Sequence, residues 1–250
     1  MTAMRTAPMI KNVHGSTLDL LGEAIIAGRY AEGAALPPEP LLGESLGVSR
    51  TVVREAVKSL VAKGLVSTGP KVGTRVLPRE QWNSFDPDVI AWQSKVGLTP
   101  EFVNHLQELR RIVEPAALRL AAERATAQDI ATVEAAFAGM TAAVRDGGDY
   151  VTHDLRFHMG LLHACRNPLL IHMGKALSAL LRTSFELSSS RKGGPAESLP
   201  LHRAVLDAVI ARKPLKAEKA ILVLIDGASA DIEKVLATRK RVTRKAVPKV

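Results

Sequence analysis

Cysteine and aromatic residues are scarce in this 250-residue sequence. It contains one cysteine, Cys165, and only 4% of its residues are Phe, Trp or Tyr, although 46% are hydrophobic. A single cysteine cannot form an internal disulfide, which excludes a disulfide scaffold and indicates a reducing compartment. Because Ala and Leu are abundant, the composition favours helices around a packed core.

Long hydrophobic runs are also lacking. Charged residues interrupt every apolar stretch well before the ~20 residues that a membrane span requires. The N-terminal stretch MTAMRTAPMIKNVHGS has no apolar centre of the kind found in signal peptides. We therefore expect a cytoplasmic protein that has no membrane partner.

The net charge of +9 is distributed unevenly along the chain. A mildly basic head and the strongly basic tail RKRVTRKAVPKV flank a body that is close to neutral. This distribution suits a protein with one end that faces a polyanion. Taken alone, the tail is more typical of a solvated, disordered segment.

Periodicity and turn residues divide the chain into five parts. The first third has the order helix, short helix, helix and β-hairpin, and everything after about residue 99 has helical periodicity. The sequence predicts a disordered arm at 1–15, a winged helix-turn-helix at 16–78, a connector at 79–98, an all-helical effector-binding and dimerisation domain at 99–238, and a basic disordered tail at 239–250. The expected fold class is therefore mainly α, with a winged helix-turn-helix followed by a helical bundle.

The second helix after the tight turn carries the residues expected to bind DNA. Gly47 permits the sharp reversal before this helix. Arg50, Arg54 and Lys58 are spaced by four residues, so they share one outward face. A helix N-terminus and basic side chains bind phosphate, and Arg can read guanine edges in the major groove. The pattern predicts binding to double-stranded operator DNA, with a solvated basic face as the plainer alternative.

The tip of the predicted hairpin is the candidate wing. Lys71 and Gly73 lie at this tip, where a lysine side chain and an exposed backbone could reach phosphates or the minor groove. A hairpin turn without a DNA contact is the alternative interpretation.

The stretch ALPPEPLLGESLGVSRTVVREAVKSLVAKGLVSTGPKVGTRV resembles the DNA-binding domain of GntR-family transcriptional regulators. The resemblance implies base or phosphate contacts at five positions, namely Ser49, Arg50, Thr51, Arg54 and Gly73. Family members often carry an Arg one residue after the Glu at the start of the short helix, and here Pro40 occupies that position. The resemblance therefore implies no arginine contact there.

The helical part contains segments that resemble the FCD effector domain of the FadR-like branch of this family. These segments are ELRRIVEPAALRLAAERAT, DLRFHMGLLHACRNPLL and LHRAVLDAVIARK. Together with QWNSFDPDVIAW, they are most similar to the branch that controls galactonate catabolism. The resemblance implies a homodimeric repressor that is released from DNA by a small carboxylate, such as galactonate or another aldonic acid.

Asp154, His158 and His202 are candidate metal ligands. Asp154 and His158 are four residues apart on a predicted helix and project to one side. A carboxylate and two imidazoles inside a bundle can bind a divalent metal such as Zn²⁺, Ni²⁺ or Mn²⁺. The resemblance implies the same three ligands. It places a further family His near Leu224, whose side chain cannot coordinate a metal. Asp226 is a poor substitute, because two residues correspond to about 200° around a helix. Ordinary hydrogen-bonded core residues are the alternative interpretation.

Other polar residues complete the predicted effector site. The resemblance places Arg110 in the pocket, where a guanidinium would hold a carboxylate through two parallel hydrogen bonds. Asn167 precedes Pro168 and is typical of a helix cap, with ligand contact as the second possibility. The predicted effector-binding set is Arg110, Asp154, His158, Asn167 and His202.

Two rival functions remain open at the level of the sequence. The first is a metal-dependent enzyme that acts on a hydroxy acid, although we find no HExxH motif, nucleophile elbow or glycine-rich phosphate loop. The second is a regulator that responds to a hexuronate, lactate or a dicarboxylate. On balance, the sequence indicates a regulator and no catalytic residues.

Overall fold

A computed structural model describes the backbone of residues 13–246 and the side chains of residues 13–238. Its helices are α1 (Val13–Ile26), α2 (Glu39–Leu46), α3 (Arg50–Ala62), α4 (Pro87–Val96), α5 (Pro100–Arg124), α6 (Ala127–Asp146), α7 (Tyr150–Ala164), α8 (Pro168–Ser189), α9 (Gly194–Ile210) and α10 (Pro214–Ala246). Two strands, β1 (Val66–Gly69) and β2 (Gly73–Val76), follow α3, and a 3-10 turn spans Arg79–Gln81. The chain divides into two compact units after Gly97. The predicted mainly α fold is confirmed.

The turn between α2 and α3 has the backbone geometry that its residues favour. Gly47 adopts the left-handed conformation, with φ of 65°, which costs glycine little because it has no Cβ. The Ser49 hydroxyl then accepts a hydrogen bond from the N–H of Val52 at 3.3 Å and caps α3. The apolar stripe of α3 faces the core of the first unit and consists of Val53, Ala56, Val57 and Leu60.

The predicted wing is an antiparallel hairpin. Strands β1 and β2 pair in the register Val66 with Val76 and Gly69 with Gly73. The sequence favours strands at Leu65–Thr68 and Thr74–Leu77, and each observed strand end differs from these by one residue. Lys71 at the tip has φ of 63°, an uncommon conformation for a residue with a side chain, so the turn holds this lysine in a fixed backbone position.

The connector is part of the first unit and is not a separate linker. Its second half forms α4, which Asp86 caps by accepting from the N–H groups of Asp88 and Val89. Trp92 is buried and donates its indole N–H to the Asp19 carboxylate at 2.9 Å. Gly22 faces the same ring so closely that a Cβ there would lie 2.5 Å from it. In the structure, α4 therefore packs with the first unit, because it covers the apolar face of α1.

The second unit is a helical bundle made of α5 to α10. Its core is a continuous cluster of buried side chains that includes Leu118, Phe157, Leu206 and Ile225. The capping box at Thr126 and Asp129 opens α6, as its spacing favours. Among the described residues, no helix combines the length and apolar content needed to cross a membrane.

Both predicted disordered termini differ in part from the structure. Residues 13–15 of the predicted arm belong to α1, and residues 1–12 lie outside the described range. Helix α10 continues to Ala246, eight residues into the predicted tail. Lys and Arg are good helix formers, and no proline or glycine interrupts the chain between Gly227 and Pro248. Residues 247–250 lie outside the described range.

Candidate functional site

The basic row on α3 lies on the solvent side of the first unit. The side chains of Arg50, Arg54 and Lys58 are 74%, 56% and 65% exposed. Each is near a carboxylate: Arg50 Nε lies 3.3 Å from Glu39 Oε2, and Lys58 Nζ lies 2.9 Å from Glu55 Oε1. These pairs are exposed and therefore weak, so phosphates or bases can replace the carboxylates as partners.

The wing and the start of α3 share one groove. The groove has a volume of about 520 Å³, and Pro40, Arg50 and Gly73 are among the residues that line it. Gly73 has φ of 72°, and a Cβ there would meet nothing within 4 Å. The positive φ therefore explains why glycine is favoured at position 73, and the missing side chain leaves the backbone open to a ligand. Ser49, Thr51 and Lys71 are exposed residues of the same unit.

The second unit contains a separate cavity of about 260 Å³. Four of the five predicted effector residues line it and are buried, namely Arg110, Asp154, His158 and His202. They come from three helices, α5, α7 and α9. The structure therefore brings together side chains that lie far apart in the sequence.

The Asp154 carboxylate lies between the imidazoles of His158 and His202. Its Oδ1 lies 3.1 Å from His202 Nε2 and 3.5 Å from His158 Nε2. One ligand atom from each of the three residues can be chosen so that all lie within 4.8 Å of one another. Imidazole nitrogens and a carboxylate oxygen at this spacing form a donor set suited to a divalent transition metal.

The outer nitrogens of both histidines are fixed by acceptors. His202 Nδ1 lies 2.9 Å from the carbonyl oxygen of Ser198, and His158 Nδ1 lies 2.9 Å from Glu114 Oε2. These oxygens accept hydrogen bonds, so each Nδ1 is held as a donor and each Nε2 is directed at Asp154, where its lone pair is available to a cation. Two lone pairs and a carboxylate that face one another repel unless a cation or a proton lies between them, so the residues fit a metal.

Glu114 is a functional residue that the sequence analysis missed. It accepts a 2.6 Å hydrogen bond from Arg110 Nε, and its other oxygen pairs with His158. Burial alone would raise the pKa of Glu114, but the positive charge of Arg110 and the contact with His158 lower it to about 2. Glu114 therefore stays ionised and joins the arginine to the histidine. Its spacing of four residues from Arg110 was the available signal.

Arg110 presents a buried guanidinium to the cavity. Its Nη1 donates to Gln107 Oε1 at 3.3 Å, and its guanidinium carbon lies 4.9 Å from the centre of the Phe185 ring. Within the described part of the chain, no partner for Nη2 is found. These N–H groups can donate to an anionic oxygen of a ligand.

Three predictions near the cavity have clear structural outcomes. Asn167 does not line the cavity; its side chain accepts from the N–H groups of Leu169 and Leu170 and caps α8. The predicted effector contact of Asn167 is therefore not supported by this geometry. Leu224 lies on the cavity wall, whereas Asp226 is half-exposed and forms an ion pair with Arg111.

Contrary to the expectation from the sequence, one letter pattern outside the cavity does match a catalytic motif. The residues Gly43–Gly47 read GESLG, which has the spacing of a nucleophile elbow. That motif requires a serine on a sharp turn between a strand and a helix. Ser45 instead lies inside α2 and donates its hydroxyl proton to the carbonyl oxygen of Leu42. The pattern therefore carries no catalytic role.

A winged helix-turn-helix with an exposed basic helix, in one chain with a helical unit that encloses a charged cavity, defines a DNA-binding regulator controlled by a small ligand. Comparisons with known proteins agree. The family described as "Bacterial regulatory proteins, gntR family" matches residues 16–76, and the FCD domain matches residues 105–227.

Several known proteins are similar over most of their length. The Escherichia coli (strain K12) "Galactonate operon transcriptional repressor" is 35% identical over 216 residues, which cover 86% of this chain and 94% of that protein. The Bacillus subtilis (strain 168) regulator LutR is 32% identical over 78% of this chain and 90% of its own. The solved structure of Lar from Listeria monocytogenes has a TM-score of 0.63 at 19% identity, covering 91% of this chain and 99% of that one, and shows the shared fold alone.

The chain belongs to the GntR family of bacterial regulators and carries a C-terminal FCD domain. It is therefore a transcriptional regulator and not an enzyme. The rival interpretation as a metal-dependent enzyme, which the sequence left open, is wrong.

Proposed function

We propose that the chain is a homodimeric repressor that an aldonic acid such as galactonate releases from its operator. The observation that carries the proposal is the buried Arg110 guanidinium, which lies in the same cavity as the Asp154, His158 and His202 cluster. A desolvated guanidinium and a metal-binding cluster are both suited to an organic carboxylate. The galactonate-related name of a 35% identical relative supports the class of acid.

A divalent metal would be held by Asp154, His158 and His202, and Zn²⁺, Ni²⁺ and Mn²⁺ all suit these donors. When bound, the metal would supply a Lewis-acidic centre that attracts a carboxylate or hydroxyl oxygen. Glu114 and the Ser198 carbonyl orient the two imidazoles from outside the cluster. Leu224 on the cavity wall adds no further ligand, which leaves room for the oxygen atoms of the effector.

The carboxylate of the effector would bind to Arg110. Its Nε is already occupied by Glu114 at 2.6 Å, so the ligand would use the remaining N–H groups. The pair with Glu114 and the contact with the Phe185 ring hold the guanidinium plane in place before the ligand arrives. Preorganisation of this kind improves affinity because the protein loses little freedom on binding.

DNA would bind to the exposed face of the first unit. Arg50, Arg54 and Lys58 would enter the major groove, while Ser49 and Thr51 at the start of α3 would contact phosphates. The wing residues Lys71 and Gly73 would reach the neighbouring backbone. In a dimer, two such helices would enter successive major grooves, and the ligand needs to favour the released arrangement by only about 1–3 kcal/mol.

A mobility-shift experiment tests the proposal. The full-length protein is incubated at low salt with DNA fragments from upstream of its own gene, first alone and then with D-galactonate. We expect retardation that D-galactonate reverses and that sodium chloride at equal ionic strength reverses much less. Failure to retard every upstream fragment would contradict DNA binding, and retardation that no sugar acid alters would contradict the proposed effector.

A further inference from the structure

The cavity has a second polar end, which neither the metal cluster nor Arg110 uses. Four charged side chains line it, one from the loop after α8, one from α9 and two from α10, and we call them the rim cluster: Arg191, Glu197, Asp231 and Lys234. Arg191 lies at the centre, with Nε 2.6 Å from Asp231 Oδ1 and Nη2 2.6 Å from Glu197 Oε2. Lys234 Nζ lies 3.6 Å from the same Asp231 oxygen.

Helix α10 forms one wall of the cavity, from Leu224 to the rim-cluster residues Asp231 and Lys234. Leu224, Gly227, Ala228 and Asp231 all line the cavity, at the three- and four-residue spacing of one helix face. Leu224 and Asp231 are seven residues apart, which corresponds to about 10 Å along a helix. The cavity is therefore long enough to hold both ends of an extended ligand at once.

The charges of the rim cluster balance. Two cations face two carboxylates, and Arg191 and Asp231 are only 20% and 15% exposed. A second carboxylate of a ligand would meet Asp231 and Glu197 as well as Arg191, so it gains little attraction there. A hydroxyl group can accept from Arg191 and donate to Asp231 without adding charge. The chemistry of this end thus favours hydroxyls over a second anion.

Other groups beside the rim cluster are also suited to a ligand that carries hydroxyls. Gly194 leaves space beside Asp231, since a Cβ there would lie 3.4 Å from Asp231 Oδ2 and 3.2 Å from the Ser188 carbonyl. Between the two ends, the hydroxyls of Tyr150 and Ser198 are 2.6 Å apart and also line the cavity. A chain of hydroxyl groups on a ligand would meet polar partners along its length.

We propose that Asp231 and Arg191 bind the hydroxyl-bearing far end of the effector and so select a long polyhydroxylated monocarboxylate. They would disfavour the corresponding dicarboxylate, which has a second anion at that end, and a short hydroxy acid, which does not reach it. This inference rests on the proposed function, because it assumes that the carboxylate of the ligand is held at the Arg110 end.

Calorimetric titration of the full-length protein tests the assignment with D-galactonate, galactarate and L-lactate as probes. In Asp231→Asn, we expect the Kd for galactonate to rise at least tenfold, because a charged acceptor for hydroxyl protons is lost. The Kd for galactarate is expected to fall or stay constant, since Arg191 gains unneutralised charge. The matched control is Asp207→Asn, an exposed aspartate that pairs with Arg203 on α9 and does not line the cavity.

The possible outcomes separate this inference from the proposed function. A shift in the galactonate-to-galactarate Kd ratio in Asp231→Asn, with none in Asp207→Asn, supports the assignment. An unchanged ratio overturns it and leaves the proposed function standing, provided that the unmodified protein binds galactonate. Equal weakening toward all three acids overturns it as well, since that result indicates structural support only. If the unmodified protein binds none of the three acids, both proposals fail.

Discussion

His158 and Glu114 form a buried pair across two helices, with 2.9 Å between His158 Nδ1 and Glu114 Oε2. The same carboxylate accepts from Arg110 through its other oxygen at 2.6 Å. One glutamate therefore orients both the residue proposed to hold the effector and a residue proposed to hold a metal. Because both groups share this partner, we expect a substitution at Glu114 to affect both of them.

We expect Glu114→Gln to reduce metal affinity by about 10–100-fold, because an amide polarises the imidazole less than a carboxylate does. Competition with a chromophoric chelator, with Zn²⁺ as the metal, measures the effect on the folded protein. Glu108→Gln is the control, since Glu108 is exposed on the same helix. Equal Zn²⁺ affinities for the two variants would show that Glu114 does not act on the cluster.

Leu224→His is expected to strengthen metal binding. Leu224 is buried on the cavity wall, and a fourth ligand there would complete the coordination of a metal held by the other three. We expect at least a tenfold gain in Zn²⁺ affinity in the same chelator competition. Leu215→His adds an imidazole at an exposed position of α10 and serves as the control. A gain of the same size in the control would contradict the placement.

The acid stability of the second unit should depend on Asp129. This carboxylate accepts from the Thr126 N–H at 2.8 Å and from Arg166 Nη2 at 2.6 Å. Burial raises the pKa of Asp129, but these hydrogen bonds outweigh burial and hold the pKa well below its ordinary value of 3.8. A lowered pKa contributes stability above the ordinary value, and that contribution is lost as the pH falls through the lowered one.

Asp129→Asn should therefore lower the free energy of unfolding by roughly 1–2 kcal/mol near neutral pH, as loss of a helix cap typically does. The difference from the unmodified protein should shrink as the pH drops below the ordinary pKa of an aspartate. Urea denaturation followed by circular dichroism at several pH values measures both effects. Asp146→Asn, at an exposed pair with Arg145, should change little, and a destabilisation that is independent of pH would contradict the role of the charge.

Arg54→Ala should weaken operator binding by about 1–3 kcal/mol if the side chain reads a base. Fluorescence anisotropy with labelled operator and with a scrambled duplex separates base reading from phosphate contact. A base contact predicts loss of discrimination between the two duplexes, whereas a phosphate contact predicts equal loss for both. Arg145→Ala, in the second unit, controls for the removal of one positive charge. No change in either duplex would contradict a DNA contact.

Local signals explain why some of the site was predictable. Gly47, Ser49 and the four-residue spacing of the basic row all act within a few residues, so the turn and the face of α3 follow from the sequence. Asp154 and His158 are predictable for the same reason, since four residues separate them on one helix. His202 could be assigned through the family resemblance, although it lies 48 positions after its partner Asp154.

Tertiary contacts explain what the sequence left out. Glu114 meets His158 across 44 positions, and no local pattern records that contact. The sequence predicts a connector in place of α4, because this helix depends on the packing of Trp92 against Gly22 in α1. Arg191 and Asp231 form a pair only because α10 runs along the end of α8 and the start of α9. Distant packing of this kind requires the folded chain.

If the acid held by Arg110 controls DNA binding, Arg110→Lys should remove the effector response and leave operator binding intact. Lysine keeps the charge beside Glu114 but cannot form two parallel hydrogen bonds to a carboxylate. Operator affinity is measured by anisotropy with and without D-galactonate, with the exposed Arg111→Lys as the control. We expect unchanged operator affinity in Arg110→Lys with the galactonate response reduced at least tenfold, and a normal response in Arg111→Lys. A full galactonate response in Arg110→Lys would contradict control by the acid at Arg110.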